Sequence, residues 1–173
     1  MKTSICITGV AGSGKSAVSD ELKRLGYSSH GIEEGYGLFA MVHKETGKIS
    51  DTFDNDNQEW VKQHRWICDK NKLQKLIDDN PQKIAFYCGI ASNIDELLPL
   101  FDKVFLLKAN EKILSERLTT RTSNDFGRTP EVQKWVFSWK EERENDMCKK
   151  GAIIIDANNN LEKVVAEILK QSN

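Results

Sequence analysis

Residues 9–16 of the chain read Gly9-Val10-Ala11-Gly12-Ser13-Gly14-Lys15-Ser16. They match the phosphate-binding pattern G-x-x-x-x-G-K-[ST] at every fixed position, and they lie between the apolar run Ile5-Cys6-Ile7 and a segment of helical period. Glycines in such a loop let successive backbone N–H groups converge on phosphate oxygens, and the start of the following helix adds partial positive charge. This stretch therefore predicts the binding of a nucleoside triphosphate.

The spacing of the motif assigns separate tasks to its residues. Lys15 is expected to reach the β- and γ-phosphates, and the Ser16 hydroxyl to take one coordination position of Mg²⁺. A nucleoside triphosphate with Mg²⁺ is thus the expected ligand. The predicted nucleotide contacts are Gly9, Gly12, Ser13, Gly14, Lys15 and Ser16.

Length and charge exclude several classes of protein. The chain has 173 residues, with 25 Lys and Arg against 26 Asp and Glu, which predicts one compact domain over residues 1–173 without a global basic field. We therefore expect no nucleic-acid and no membrane partner. Four scattered cysteines without a CxxC pair favour a reduced, cytoplasmic protein.

Three apolar runs of strand length lack the alternation of a half-exposed strand: Ile84 to Cys88, Val104 to Leu107, and Ala152 to Ile155. Runs of this kind are typical of strands buried on both faces. With Ile5 to Ile7 and a weaker signal at residues 27–32, they predict a three-layer α/β fold. Its five-stranded parallel sheet would carry helices on both faces, with helix caps at Asn110, Thr129 and Asn160.

Two segments interrupt the alternation of strands and helices. Residues 33–81 are too long for a simple crossover and predict an inserted acceptor-binding lobe, with helical segments that include Trp60, Trp66 and Ile67. Residues 119–130 are polar, charged and contain a glycine, which predicts a mobile lid.

The remaining motifs narrow the class of nucleotide-binding protein. The chain contains neither the Asn-Lys-x-Asp nor the Asp-x-x-Gly motif of GTPases, and the strand that ends at Cys88 is not followed by an acid. In layout the sequence resembles the P-loop small-molecule and nucleotide kinases, which include shikimate, gluconate and nucleoside monophosphate kinases, and the small AAA-type ATPases and kinases. The match to their motifs is exact only at residues 9–16.

That resemblance implies roles for acidic and basic residues outside the motif. Glu33 and Glu34 stand where relatives of shikimate kinase carry aspartates, one near Mg²⁺ through water and one at the acceptor hydroxyl. Which glutamate does which stays open. Arg121 and Arg128 would stabilise the transferred phosphoryl group, and Arg117 would contact ATP, unless it pairs with a neighbouring glutamate on the helix surface.

The acceptor would be bound by Glu34, Arg65, Gly89 and Asn93. Gly89 permits a close backbone approach. Asn93 serves equally well as a helix cap, and Arg65 as a surface charge. These residues do not identify the acceptor.

The expected function is transfer of the ATP γ-phosphoryl group to a hydroxyl metabolite, nucleoside or nucleotide by a monomer or homodimer. The alternative is a nucleotide-binding regulator or slow ATPase that has no phosphoryl acceptor. A polynucleotide end kinase is a third, less favoured reading, because the balanced charge provides no basic stripe for a nucleic-acid backbone.

Overall fold

The computed structural model describes residues 2–172. Its strands are β1 (Thr3–Thr8), β2 (Ser28–Gly31), β3 (Phe39–His43), β4 (His64–Cys68), β5 (Ile84–Cys88), β6 (Lys103–Lys108) and β7 (Ile153–Asp156). Its helices are α1 (Lys15–Arg24), α2 (Gln58–Gln63), α3 (Lys70–Asp78), α4 (Ile94–Leu97), α5 (Glu111–Thr120), α6 (Pro130–Lys149) and α7 (Leu161–Ser172), and a 3-10 turn covers Leu98–Leu100. Within residues 2–172, no helix is both long enough and apolar enough to cross a membrane.

Five of the strands form one parallel sheet in the order β2-β5-β1-β6-β7. The central strand β1 pairs with β5 on one side, where Ile5 lies opposite Phe86, and with β6 on the other, where Ile7 lies opposite Phe105. The predicted five-stranded parallel sheet and α/β class are therefore confirmed.

Each face of the sheet is covered by helices, so its strands are buried on both sides. Ile5 and Ile7 of β1 belong to a core with Val18 of α1 and Ile168 of α7. Cys6, between them, points to a second core that contains residues of α3, α4 and α6, namely Leu73, Ile94, Leu97 and Met147. This double burial explains why the strands read as continuous apolar runs.

The predicted helix starts at Asn110, Thr129 and Asn160 are confirmed. The side chain of Asn110 accepts a hydrogen bond from Ile113 N at 3.0 Å, and that of Asn160 from Lys163 N at 3.0 Å. Thr129 Oγ1 accepts from Val132 N at 3.4 Å, directly before Pro130, which opens α6. These side chains satisfy N–H groups that have no partner inside the helix.

The region expected to form an inserted lobe contains an antiparallel hairpin. Strands β3 and β4 pair with Met41 opposite Trp66. The prediction that Trp66 and Ile67 are helical is wrong, because α2 ends at Gln63 and the backbone becomes extended at His64. A two-stranded hairpin needs further support to be stable. The bounds of the lobe at 33 and 81 stay a prediction.

That support comes from the two residues that precede α4. Ser92 N donates to Trp66 O at 2.7 Å, and Trp66 N donates to Ser92 Oγ at 3.0 Å. The Asn93 side chain accepts from Cys68 N and donates to Cys68 O, each at 3.0 Å. Although Asn93 occupies the N-cap position of α4, its side chain caps no N–H group of that helix among the described residues. The alternative that Asn93 is a helix cap is therefore wrong, since its amide is turned to Cys68.

Replacing Asn93 by alanine is expected to lower the free energy of unfolding by about 1–3 kcal/mol, because the buried Cys68 backbone loses both partners. Urea denaturation followed by tryptophan fluorescence measures this loss. Asn93→Asp keeps the acceptor for Cys68 N and should fall between the parent and Asn93→Ala. A change within about 0.5 kcal/mol for Asn93→Ala, typical of exposed sites, would contradict this role.

Candidate functional site

The phosphate loop joins the end of β1 to the start of α1 at the carboxyl edge of the sheet. Gly14, which directly precedes α1, has a φ of 102°, in the left-handed region that favours glycine. At Gly9 a Cβ atom would lie 2.6 Å from Ser13 Oγ and 2.7 Å from Leu107 O. Both glycines are thus required by the path of the loop, as the motif predicts.

Lys15 is buried, with 8% of its surface exposed. Its ammonium group donates hydrogen bonds to Gly9 O at 2.9 Å and Val10 O at 3.4 Å. Burial lowers the pKa of Lys15, the carboxylate of Glu33 opposes that shift, and Arg121 adds to it. The three charged groups therefore lie close enough to influence one another.

Glu33 is held against the end of β5. Its Oε1 accepts a hydrogen bond from Ile90 N at 3.0 Å. A Cβ atom at Gly89 would lie 2.6 Å from Ile32 Cγ1 and 3.2 Å from Glu33 Cγ, so the absence of a side chain there makes room for Glu33. Glu34, the other member of the predicted acidic pair, is exposed.

Arg121 directly follows α5, in the segment 119–130 that is predicted to form a lid. One of its guanidinium nitrogens, Nη2, donates to Phe126 O. Its Nε is buried and has no hydrogen-bond partner among the described residues. Burial lowers the pKa of Arg121, against the opposing effects of Glu33 and Asp125.

A second unpaired polar atom lies in the phosphate loop itself. Ser13 is 2% exposed, and its hydroxyl has no hydrogen-bond partner within residues 2–172. A buried hydroxyl or guanidinium N–H without a partner is costly. An unpaired hydroxyl in the loop and an unpaired guanidinium N–H of Arg121 are donors of the kind that phosphate oxygens accept from, so the residues present fit a phosphorylated ligand.

Arg117 contacts the phosphate loop from α5. Its Nη1 lies 3.5 Å from Gly12 O and 3.4 Å from Ser13 O, and its Nη2 donates to Ala157 O at 2.9 Å. Neither glutamate neighbour on its helix is the partner in these contacts. Arg117 therefore joins the loop to the segment that follows β7, and its predicted contact with ATP stays a prediction.

Three other predicted site residues lie in different surroundings. Arg128 is exposed and forms an ion pair with Asp56 of the 33–81 region. Arg65 is exposed on β4 and lines a surface groove of about 420 Å³ together with Asn93. The structure thus brings Lys15, Glu33 and Arg121 together, and it groups Arg65 with Asn93 in this separate groove.

Sequence reasoning missed two contacts that shape the site. The Ile90 backbone N–H donates to Glu33 and holds its carboxylate in place. A sequence pattern of side chains does not indicate which backbone N–H group will bind a given carboxylate. Asp56 pairs with Arg128 across 72 positions of sequence. The polar run Asp54-Asn55-Asp56-Asn57 indicates a turn, but nothing in it indicates a partner near residue 128.

A parallel sheet with a lysine-bearing phosphate loop after its central strand defines a P-loop nucleotide-binding fold. Residues 5–136 match the family described as AAA domain, and the chain belongs to that family. No curated protein sequence matches the chain.

Solved structures, among them those of two kinases, share the fold. Deoxyadenosine kinase from M. mycoides with bound dATP has a TM-score of 0.59 and 16% identity, with 97% of this chain and 98% of that chain covered. A gluconokinase from Sinorhizobium meliloti 1021 has a TM-score of 0.54 and 20% identity, with 97% and 90% covered. The YorR protein from Bacillus subtilis, in complex with phosphorylated GDP, has a TM-score of 0.56 and 15% identity, with 98% and 95% covered. The predicted likeness to P-loop kinases is confirmed in the fold.

Gly89→Ala is expected to lower the free energy of unfolding by about 1–3 kcal/mol, because the new methyl group overlaps Ile32 and displaces Glu33. Gly31→Ala is the matched control at the end of β2, where a Cβ atom would meet only Ser19 Oγ, at 3.9 Å. Chemical denaturation of both variants measures the difference. Equal stabilities for the two variants would show that the approach at Gly89 is not close.

Proposed function

We propose that the protein is a kinase that transfers the γ-phosphoryl group of ATP, with Mg²⁺, to a hydroxyl group of a small molecule. The observation that carries this proposal is the grouping of Lys15, Glu33 and Arg121 at the phosphate loop, with Ser13 Oγ and Arg121 Nε buried and unpaired among the described residues. The kinase folds of the compared structures support it.

The phosphate loop would bind the triphosphate through its backbone N–H groups and Ser13. Lys15 would exchange its present bonds to Gly9 O and Val10 O for oxygens of the β- and γ-phosphates. That exchange is favourable, because phosphate oxygens are negatively charged and the loop carbonyls are neutral. A buried ammonium group therefore pairs more strongly with the phosphates. Lys15 would thereby stabilise charge on the group being transferred.

The exposed Ser16 hydroxyl at the start of α1 would hold Mg²⁺, with the Glu33 carboxylate nearby as a water-mediated contact. A hydroxyl and a carboxylate oxygen are hard ligands of the type that Mg²⁺ takes beside nucleotide phosphates. When bound, Mg²⁺ would neutralise negative charge on the phosphates.

Glu33 is the better candidate of the two glutamates for the base. Its Oε1 is anchored by Ile90 N, which leaves Oε2 to accept the proton of an acceptor hydroxyl. Glu34 would contact other parts of the acceptor from its exposed position. Arg121 would donate its unpaired Nε–H to the transferred phosphoryl group.

The acceptor is proposed as a small hydroxyl compound, and its class is to be found by experiment. The names of the compared kinases suggest nucleosides and sugar acids as first candidates. We place the reaction in a reducing compartment such as the cytoplasm, in keeping with the four free cysteines, of which Cys6, Cys68 and Cys88 are buried.

ADP release measured by a coupled assay tests the function directly. With a panel of nucleosides, nucleotides, sugars and hydroxy acids, we expect one class to stimulate ADP release, and chelation of Mg²⁺ with EDTA to abolish the stimulation. Slow ADP release that no acceptor changes would instead support a regulator or slow ATPase.

Glu33→Gln is expected to lower acceptor-dependent turnover by about 10²–10⁴-fold while ATP binding is kept, because the amide cannot take up the hydroxyl proton. The adjacent Glu34→Gln is the matched control and should change turnover far less. Steady-state kinetics with ATP binding measured by calorimetry separate the two effects. A larger loss of turnover in Glu34→Gln than in Glu33→Gln would assign the base to Glu34.

Lys15→Ala removes a cation that would contact the β- and γ-phosphates, and it should lower turnover by about 10²–10³-fold. The same assay measures it, with circular dichroism to confirm that the fold is retained. Parental ATP binding and turnover in this variant would contradict the assignment of the phosphate site.

A further inference from the structure

The lid and the first turn of α6 contact the 33–81 region through polar groups that lie about 70 positions apart in sequence. Arg128 Nε lies 3.0 Å from Asp56 Oδ1, and Arg128 Nη2 lies 2.5 Å from Asp56 Oδ2. Asn55 Nδ2 donates to Asp125 Oδ1 at 2.7 Å, and Gln58 Nε2 donates to Glu131 O at 3.1 Å. We call these six residues the clasp.

The 33–81 side of the clasp is preformed by a local turn. Asn57 N donates to Asp54 O at 3.1 Å, and the Asn57 side chain donates to Asp54 Oδ2 at 3.1 Å while it caps α2. This turn holds Asn55 and Asp56 at its outer positions, so little conformational entropy is lost when they bind the lid.

The lid side of the clasp is also a compact turn. Arg128 N donates to Asp125 O at 3.3 Å, and Phe126 N donates to Asn124 Oδ1 at 3.2 Å. Gly127, with a φ of 78°, lies over Leu118 of α5, where a Cβ atom would approach within 3.2 Å. The turn therefore presents Asp125 and Arg128 together toward the residues that match them.

The two lid arginines have different surroundings. Arg121 is half-buried beside Lys15 and Glu33 and has an unpaired Nε. Arg128 pairs through Nε and Nη2 with the two carboxylate oxygens of Asp56, and its side chain is 55% exposed. A guanidinium group in a bidentate pair with Asp56 is oriented by that pair and not by a phosphate.

We infer that Arg128 is a positioning residue that docks the lid on Asp56, so that closure of the lid over the nucleotide and closure of the 33–81 region over the acceptor occur as one movement. This inference rests on the proposed function in taking ATP as the nucleotide and the 33–81 region as the part that covers the acceptor. Both partners are substantially exposed, Asp56 at 41%, which keeps the ion pair weak enough to open in each catalytic cycle.

A charge exchange distinguishes this role from direct contact with the phosphoryl group. Arg128→Asp and Asp56→Arg, each alone, place like charges across the clasp and should speed dissociation of a fluorescent N-methylanthraniloyl ATP by about two- to fivefold. The double variant restores an ion pair of reversed polarity and should return the dissociation rate toward that of the parent. If the double variant is as impaired as Arg128→Asp alone, the inference is overturned.

Arg24→Asp is the matched control. Arg24 forms a bidentate pair with Glu21 that is confined to α1, and the Arg24 side chain is exposed like that of Arg128. Its loss should leave the dissociation rate unchanged. Equal acceleration in this variant would mean that the effect reports general destabilisation and would also overturn the inference.

Hydrogen exchange of residues 121–129 in the free protein keeps the test independent of the kinase assignment. The single variants should exchange faster in this segment, and the double variant should regain protection, whether or not any acceptor is found. Unchanged exchange in both single variants would show that the clasp does not hold the lid. Failure of the kinase proposal would instead appear as ATP binding without acceptor-stimulated turnover.

Discussion

The buried ammonium group of Lys15 is the constraint on which the rest of the site depends. A lysine with 8% exposure must be satisfied by its surroundings, and in this structure two loop carbonyls and the field of Glu33 provide that satisfaction. The loop can present those carbonyls only because Gly9 and Gly14 permit its path. The central position of β1 then brings β5 and β6 against the loop, so the carboxyl edge of the sheet surrounds this single charge.

Charges around Lys15 are arranged by backbone contacts as much as by side-chain pairs. Ile90 N orients Glu33, and Phe126 O orients Arg121. Arg117 contacts three carbonyl oxygens, two of them in the loop, and so holds the loop from α5. Because backbone donors and acceptors are rigidly held by the sheet and helices, these side chains are pre-oriented before any ligand arrives. Such an arrangement suits electrostatic stabilisation of a highly charged group better than a set of mobile surface ion pairs would.

The parts of the structure that could be predicted are those in which burial requires a run of apolar residues. Strand β5 occupies the residues expected, because both of its faces are covered and every position must be apolar. Strands β3 and β4 are half-buried and mix aromatic, basic and aliphatic residues, so Trp66 and Ile67 could not be told from helical residues. The phosphate motif was recognisable because its function demands a local sequence. The partners of Asn93 and Arg128 were not, since Cys68 and Asp56 are brought to them only by the tertiary fold.

The attachment of the β3–β4 hairpin to Ser92 and Asn93 also sets an order of events in folding. The hairpin strands end at Cys68, but the groups that bind their outer edge follow β5, some 25 positions later. A nascent chain that has emerged only as far as residue 68 therefore lacks the edge partner of β4, and an isolated hairpin is only marginally stable. The edge of β4 is therefore satisfied only after the chain has reached residues 92 and 93, which follow β5. The hairpin is thus attached to a sheet whose β1 and β5 strands are paired.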